Sequence, residues 1–187
     1  MEYETQDDVS IALRKATNEV HATLEHLPIN RMLFDDNFTS ENLSDHYWRM
    51  ISIYQPLEAS LALGEPASSI CYQSRLPLLE RGIAILGNPP RPRPYLEPPV
   101  LGDEASRWGA LYVIEGSALG GQVIHRHLAT RFSPDALSFF SPHGTYTGER
   151  WRRFKSEMSK ALAQPLHFNI AKSAASKIFI MFSQALS

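Results

Sequence analysis

The sequence predicts an all-α fold in one domain, and three observations carry that expectation. Apolar residues recur every three or four positions in each long segment, which is the spacing of one helical face. No stretch alternates apolar and polar residues over a useful strand length, and no internal repeat is present. The 187 residues suit a single hydrophobic core and show no composition break that would separate two. One domain over 1–187 is therefore expected, with residues 1–8 a disordered N-terminus.

Taken in order, the first helix is expected from about Ser10 to Leu27, with Leu13, Ala16, Val20, Leu24 and Leu27 on its buried face. Ser10 or Asp8 would cap it and Pro28 would end it. Thr39 or Ser40 then caps a helix reaching about Leu63, with Leu43, Tyr47, Met50, Ile51, Tyr54, Leu57 and Leu61 inward and a kink at Pro56. A shorter helix spans about Arg75 to Leu86. The proline-rich stretch from Gly87 to Pro99 cannot be helical and reads as a stiff strap over the surface. A long helix follows from Gly102–Asp103 to about Thr130. The Ser-, Pro- and Gly-rich run from Arg131 to Gly148 is an irregular loop. Helices over 149–163 and 168–186 complete the chain, separated by Pro165.

Composition excludes several function classes. Lys and Arg number 18 against 20 Asp and Glu, a formal net charge of -2, so no global basic field calls for nucleic acid or an anionic membrane. The lone cysteine, Cys71, rules out an intramolecular disulfide framework and fits a reducing compartment with a buried, inert thiol. The acidic first eight residues lack the apolar core of a signal peptide, and no later run approaches membrane-spanning length. A soluble, cytoplasmic protein is expected.

Two stretches carry the chemistry. Leu111, Ile114, Leu119, Val123, Ile124 and Leu128 keep helical spacing, yet Gly116, Gly120 and Gly121 lie among them. Each interior glycine costs a helix roughly 1 kcal/mol against alanine. They serve either to let another helix pack closely, or to end one helix and begin a second near Ser117, or to bare the backbone toward a broad flat ligand. Far upstream, Arg14 precedes His21 by seven residues, two helical turns, so a guanidinium and an imidazole share one side of the first helix beside Thr17. By itself His21 reads as a packed core histidine as readily as a ligand.

Together the two stretches are more specific. Leu13-Arg-Lys-Ala-Thr-Asn-Glu-Val-His-Ala-Thr-Leu-Glu25 closely resembles the first-helix motif of heme oxygenases, and Leu111-Tyr-Val-Ile-Glu-Gly-Ser-Ala-Leu-Gly-Gly-Gln122 resembles their distal helix in its bacterial Glu-Gly-Ser form. Their order and separation match as well. The resemblance implies a heme oxygenase-like multi-helix bundle in which heme is both cofactor and substrate. His21 would be the proximal ligand of its iron, and Gly116, Ser117, Gly120 and Gly121 would form the distal wall where dioxygen is activated. It further implies cleavage at a meso carbon to biliverdin, carbon monoxide and ferrous iron. Electrons would come from a ferredoxin or other reductase, and a phytochrome is a candidate acceptor of the pigment.

The chemistry fits those residue types. A flat, largely apolar disc with two carboxylates on one edge needs an axial nitrogen, a close-fitting opposite wall and a local cation. Arg14 stands where related enzymes place a lysine near a propionate, although a solvated surface charge is an equal reading. Arg153, with its neighbours Arg152 and Lys155, is a candidate for the other propionate. Thr17 lies beside the ligand histidine, and Phe179 and Phe182 resemble pocket aromatics that also suit core packing. One departure concerns Ser117, which stands where animal-type members carry an aspartate that organises water. A hydroxyl is the weaker anchor. Glu115 reads as half of a structural salt bridge, and His26, His46, His125, His127, His143 and His167 as surface or packing residues. A heme binder or sensor without turnover and a heme-free protein-interaction scaffold are the competing functions.

Overall fold

The computed structural model describes residues 6–63, 72–90 and 92–187; Cys71 and residues 1–5 lie outside them. Eight α-helices are described: α1 Gln6–Ala16, α2 Asn18–Glu25, α3 Pro28–Met32, α4 Ser40–Ala62, α5 Leu76–Leu86, α6 Glu104–Leu128, α7 Thr147–Ala161 and α8 Pro165–Leu186. Two short 3-10 turns, Ser138–Phe140 and Gly144–Tyr146, interrupt the loop before α7. No strand occurs among the described residues, so the all-α expectation holds.

The first helix differs from its expected form. It starts at Gln6, so residues 6–8 are helical, and it divides at Thr17. There the backbone turns to φ -107° and ψ 6°, and the Thr17 hydroxyl donates to the Leu13 carbonyl at 2.8 Å. Such back-bonding by a threonine competes with the helical ladder and bends it. The change of phase leaves Ala16 exposed while Leu13 is fully buried and Val20 and Leu24 are half-buried. Pro28 does not stop a helix but opens α3, and Pro165 likewise opens α8, because a first-turn position asks for no N–H. Helix α4 continues through Pro56, its start fixed by a reciprocal capping box between Thr39 and Asn42.

Helix α6 is a single run through all its glycines, capped by Asp103, which accepts from the Ser106 amide at 2.7 Å. That removes the reading of two helices meeting at Ser117. Its partner along much of its length is α8, and the approach is closest at Gly109, where a Cβ would collide with the Ala171 carbonyl. Helix α4 packs on α5 and α8, α7 on α1 and α6, and α2 on α8. The core between them holds Trp108, Tyr47, Tyr54, Phe154 and Ile114, all nearly inaccessible. The strap after α5 is tied at both ends, by Asn88 to the Ser40 carbonyl and by Arg107 to the Leu101 carbonyl. No described helix is long and apolar enough to cross a membrane.

Candidate functional site

A cavity of about 410 Å³ opens between α2 and α6, with α4 as its inner wall. Leu24 and Glu25 of α2 face Ser117, Ala118, Gly120, Val123 and Ile124 of α6 across it. The volume lies in the range that accepts a drug-sized or cofactor-sized molecule. Most of the lining is apolar: Leu33, Phe34, Met50, Phe139 and Phe140 contribute from below.

His21, one turn before Leu24 and Glu25 on α2, is not among the residues that line the cavity. Its side chain is 51% exposed, its Nδ1 lies 3.5 Å from Glu25 Oε1, and its ring meets Phe179 edge-on at 5.3 Å. Phe179 itself is buried, so it braces the imidazole from the core side rather than lining the cavity. Thr17 is buried and shares a hydrogen bond with the Tyr112 hydroxyl, which joins the α1–α2 junction to α6. Arg14 is exposed near the same tyrosine, and its charge acts on that phenol. Arg153 is exposed on α7 and does not line the cavity.

The distal glycines divide by role. A Cβ at Gly120 would meet nothing within 4 Å, so its backbone is open to the cavity. At Gly121 a Cβ would collide with the Phe140 carbonyl, so this glycine lets the loop after α6 close over the helix. Gly116 faces Trp151 of α7, 3.7 Å from a built Cβ, and is not part of the cavity lining. Replacement should separate these roles. Gly120→Leu is expected to fill the cavity and abolish stoichiometric hemin uptake with little change in melting temperature. Gly121→Ala is expected to cost about 1–3 kcal/mol of stability through overpacking. Hemin titration and thermal melts of both variants check the pair; equal behaviour would contradict the division.

Ser117 turns its hydroxyl both to the Ile114 carbonyl, donating at 2.7 Å, and to Tyr54 of α4. Burial pushes the Tyr54 phenol up, so it stays protonated. Beside this pair lies an ion cluster that the sequence did not reveal. Glu115, 2% exposed, accepts from Arg150 through Nε at 2.9 Å and Nη2 at 3.0 Å and from Arg75 Nη2 at 3.4 Å. His143 Nε2 stands 3.3 Å from its other oxygen. The salt bridge expected for Glu115 is therefore present and has two arginines. His143, expected at the surface or in packing, is a member of the cluster. Arg75 is itself buried and lines the cavity, and its Nη1 finds no partner among the described residues.

Burial would raise the Glu115 carboxyl, but the Arg150 hydrogen bonds and the Arg75 charge bring it below its ordinary value. His143 is pushed down to about 4 by burial and by Arg75, and His46 to about 4 by burial and Arg49. Below 6.5 the unfolded chain takes up protons at both histidines that the folded chain refuses. Stability should thus be full above about pH 6.5 and drain away as the pH falls toward 4, with His46 accounting for about 3 kcal/mol. The Glu115 contribution is lost in a lower window, as the pH drops from 4.5 through its depressed value. Urea unfolding at pH 7.5 and pH 4.5 measures the first effect; equal stability at the two would refute it.

The cavity has an apolar α6 wall with one open glycine and borders Tyr54, Ser117 and Arg75, while His21 stands outside its lining. Beside Gly120 the wall is apolar, with Val123 lining the cavity and 48% exposed. Among the described residues no group of three or more His, Cys, Asp and Glu side chains is placed to hold a metal ion by itself. Sequence reasoning had placed Tyr54 and Met50 on the inward face of α4 without foreseeing that this face borders a cavity. Arg75 carried no pattern at all.

Comparison with known proteins bears on what occupies such a site. A heme oxygenase of Xanthomonas campestris pv. campestris (strain 8004) is 36% identical over 123 residues, covering 62% of this chain and 69% of that protein. The crystal structure of the NO- and CO-bound heme oxygenase from Neisseria meningitidis superimposes with a TM-score of 0.75 at 18% identity, covering 95% of this chain and 89% of that one. The structural likeness establishes the fold. No protein-family model matches the chain.

Proposed function

The chain belongs to the heme oxygenase family, and from that premise we propose that His21 of α2 ligates the iron of a heme held between α2 and α6. The reaction is oxidative cleavage of heme at a meso carbon to biliverdin, carbon monoxide and ferrous iron, with dioxygen and reductant consumed. The observation that supports the reading is the cavity bounded by Leu24 and Glu25 of α2, one turn after His21, and by the Ser117–Ile124 face of α6, with His21 itself outside the lining.

Bound heme supplies the iron at which dioxygen is reduced and the carbon that is oxidised. The chain supplies position and protons. Nδ1 of His21 lies 3.5 Å from the Glu25 carboxylate, near enough that on metal binding the carboxylate would orient the ring and leave Nε2 for the iron. Gly120 would let a heme lie close against the α6 backbone, with Val123 and Ile124 as its apolar neighbours. Gly121 lets the Phe140 backbone close onto α6, whereas a Cβ at Gly116 would make only ordinary contact with Trp151. On the inner side the Tyr54 phenol keeps its proton, while the Ser117 hydroxyl, whose own proton goes to the Ile114 carbonyl, is left to accept, so proton donation toward bound oxygen would fall to Tyr54, with the Arg75 charge nearby. Ser117 thereby does part of the work of a distal carboxylate, with Tyr54 as its anchor. Arg14 and Arg153 are assigned to the propionates at the exposed edge, and Thr17 to holding the α1–α2 junction against Tyr112.

A redox protein delivers the electrons, and we assign that role to a ferredoxin or other reductase. A phytochrome is the proposed acceptor of the pigment and the cytoplasm the proposed compartment, which the single cysteine supports. Purified protein mixed with hemin and a reductant under air should lose its Soret band and form a bile pigment. A stable Soret band with no pigment would replace the enzyme with a heme binder, and no stoichiometric spectral complex would leave a heme-free scaffold. Identifying the pigment isomer also fixes which meso carbon faces Tyr54.

A further inference from the structure

The proline-rich strap and α8 enclose a groove of about 570 Å³ that shares no lining residue with the cavity between α2 and α6. Along the strap exposure alternates, as side chains of an extended chain do: Pro94 and Leu96 are half-buried, while Tyr95 and Glu97 are exposed. On α8, Ala174, Ile178 and Met181 recur at helical spacing and form a buried floor with Leu101. The next row round the helix, Lys177, Ile180 and Gln184, faces outward.

Single exposed apolar side chains are ordinary on a protein surface. Here they gather: Tyr95 is 84% exposed and Val100 92% on the strap side of the groove, and Ile180 is 47% exposed on the α8 side. Prolines hold the strap backbone at fixed φ, so a partner meets a rigid surface and little freedom is lost in docking. A tyrosine so held, with an apolar ring and a polar tip, is a residue type that anchors interfaces.

The charges name the partner. Glu97 on the strap and Lys177 on α8 both line the groove and both are exposed, yet neither has an ion-pair or hydrogen-bond partner among the described residues. One acid and one base across an apolar centre make a charge pattern that is complementary to itself. A two-fold contact presents the same patch from both sides, so Lys177 of each copy meets Glu97 of the other. A partner of uniform charge would instead face a like charge at one rim. The formal net charge of -2 leaves little long-range repulsion between copies.

We propose that two copies of the chain associate through this face about a two-fold axis, with Tyr95 of each seated in the groove of the other and Lys177 paired with Glu97 across the contact. The heme cavity contributes no residue to the face, so the inference goes beyond the catalytic reading and stands without it.

Sedimentation of the purified full chain between about 1 and 200 µM should show a reversible rise from the 21.1 kDa of one chain toward twice that mass. Tyr95→Ser should weaken association at least about tenfold. Lys177→Glu and Glu97→Lys should each leave a monomer, because like charges then face each other at both ends of the contact. Mixed in equal amounts, these two variants should dimerise again, since every pair is then of opposite sign. All three changes fall on exposed side chains, so the helical fold stays. A chain that remains monomeric throughout overturns the proposal and leaves the groove to a different molecule. So does a dimer that survives Tyr95→Ser and both charge reversals, or a mixture of the two charge variants that fails to reassociate.

Discussion

His21→Ala is expected to lower pigment formation by more than about 100-fold, because removing even an outer partner of a metal ligand costs 10–100-fold. Hemin should still enter, since the apolar walls from α4, α6 and the Phe139–Phe140 turn remain. The spectrum of the complex should lose the signature of an axial imidazole, and added imidazole should restore it together with part of the turnover. Glu25→Gln should act in the same direction but more weakly, through the orientation of the ring 3.5 Å away. Unchanged turnover in the alanine variant would remove His21 from the site.

The second large effect concerns folding rather than chemistry. Glu115→Gln leaves the Arg75 and Arg150 guanidiniums beside a neutral amide, one of them 2% exposed and the other 21%. Removing one partner of a buried ion pair typically costs about 3–5 kcal/mol, since a charge stays behind without compensation. For a chain of this size that corresponds to a fall in melting temperature of roughly 10 °C. Urea unfolding with an unchanged denaturant slope would verify it. A loss below about 1 kcal/mol would mean that the two arginines find solvent or another acceptor.

Much of this was written in the periodicity of the chain. The inward face of α4 is buried as expected through Leu43, Tyr47, Ile51 and Leu57, because burial of an apolar stripe is what a 3.6-residue period encodes. The division at Thr17 was not legible, since it turns on a hydroxyl that competes with the backbone only once the junction packs on Tyr112. Pro28 and Pro165 were read as stops because a proline marks a boundary without saying on which side the helix lies. Spacing singled out His21 and the glycines but could not say that His21 falls outside the cavity lining, nor which glycine borders space. Gly120 and Gly121 are adjacent in sequence and differ by what stands opposite, a long-range fact. The cluster of Arg75, Glu115, His143 and Arg150 draws on four separate segments, and no local pattern joins them.

Helix α2 has eight residues and none of them is buried. A helix that short has no stability of its own in water, so its order is borrowed from α8 and from whatever fills the gap to α6. Helix α2, which carries His21, is therefore a segment that opens at small free energy, while the Ala105–Glu115 part of α6 is almost wholly buried. A wide, stiff guest can be admitted by local loosening on one side, with no global unfolding. Amide exchange in α2 should be fast in the free protein and slow sharply once hemin is bound, whereas α6 from Ala105 to Glu115 should stay protected in both.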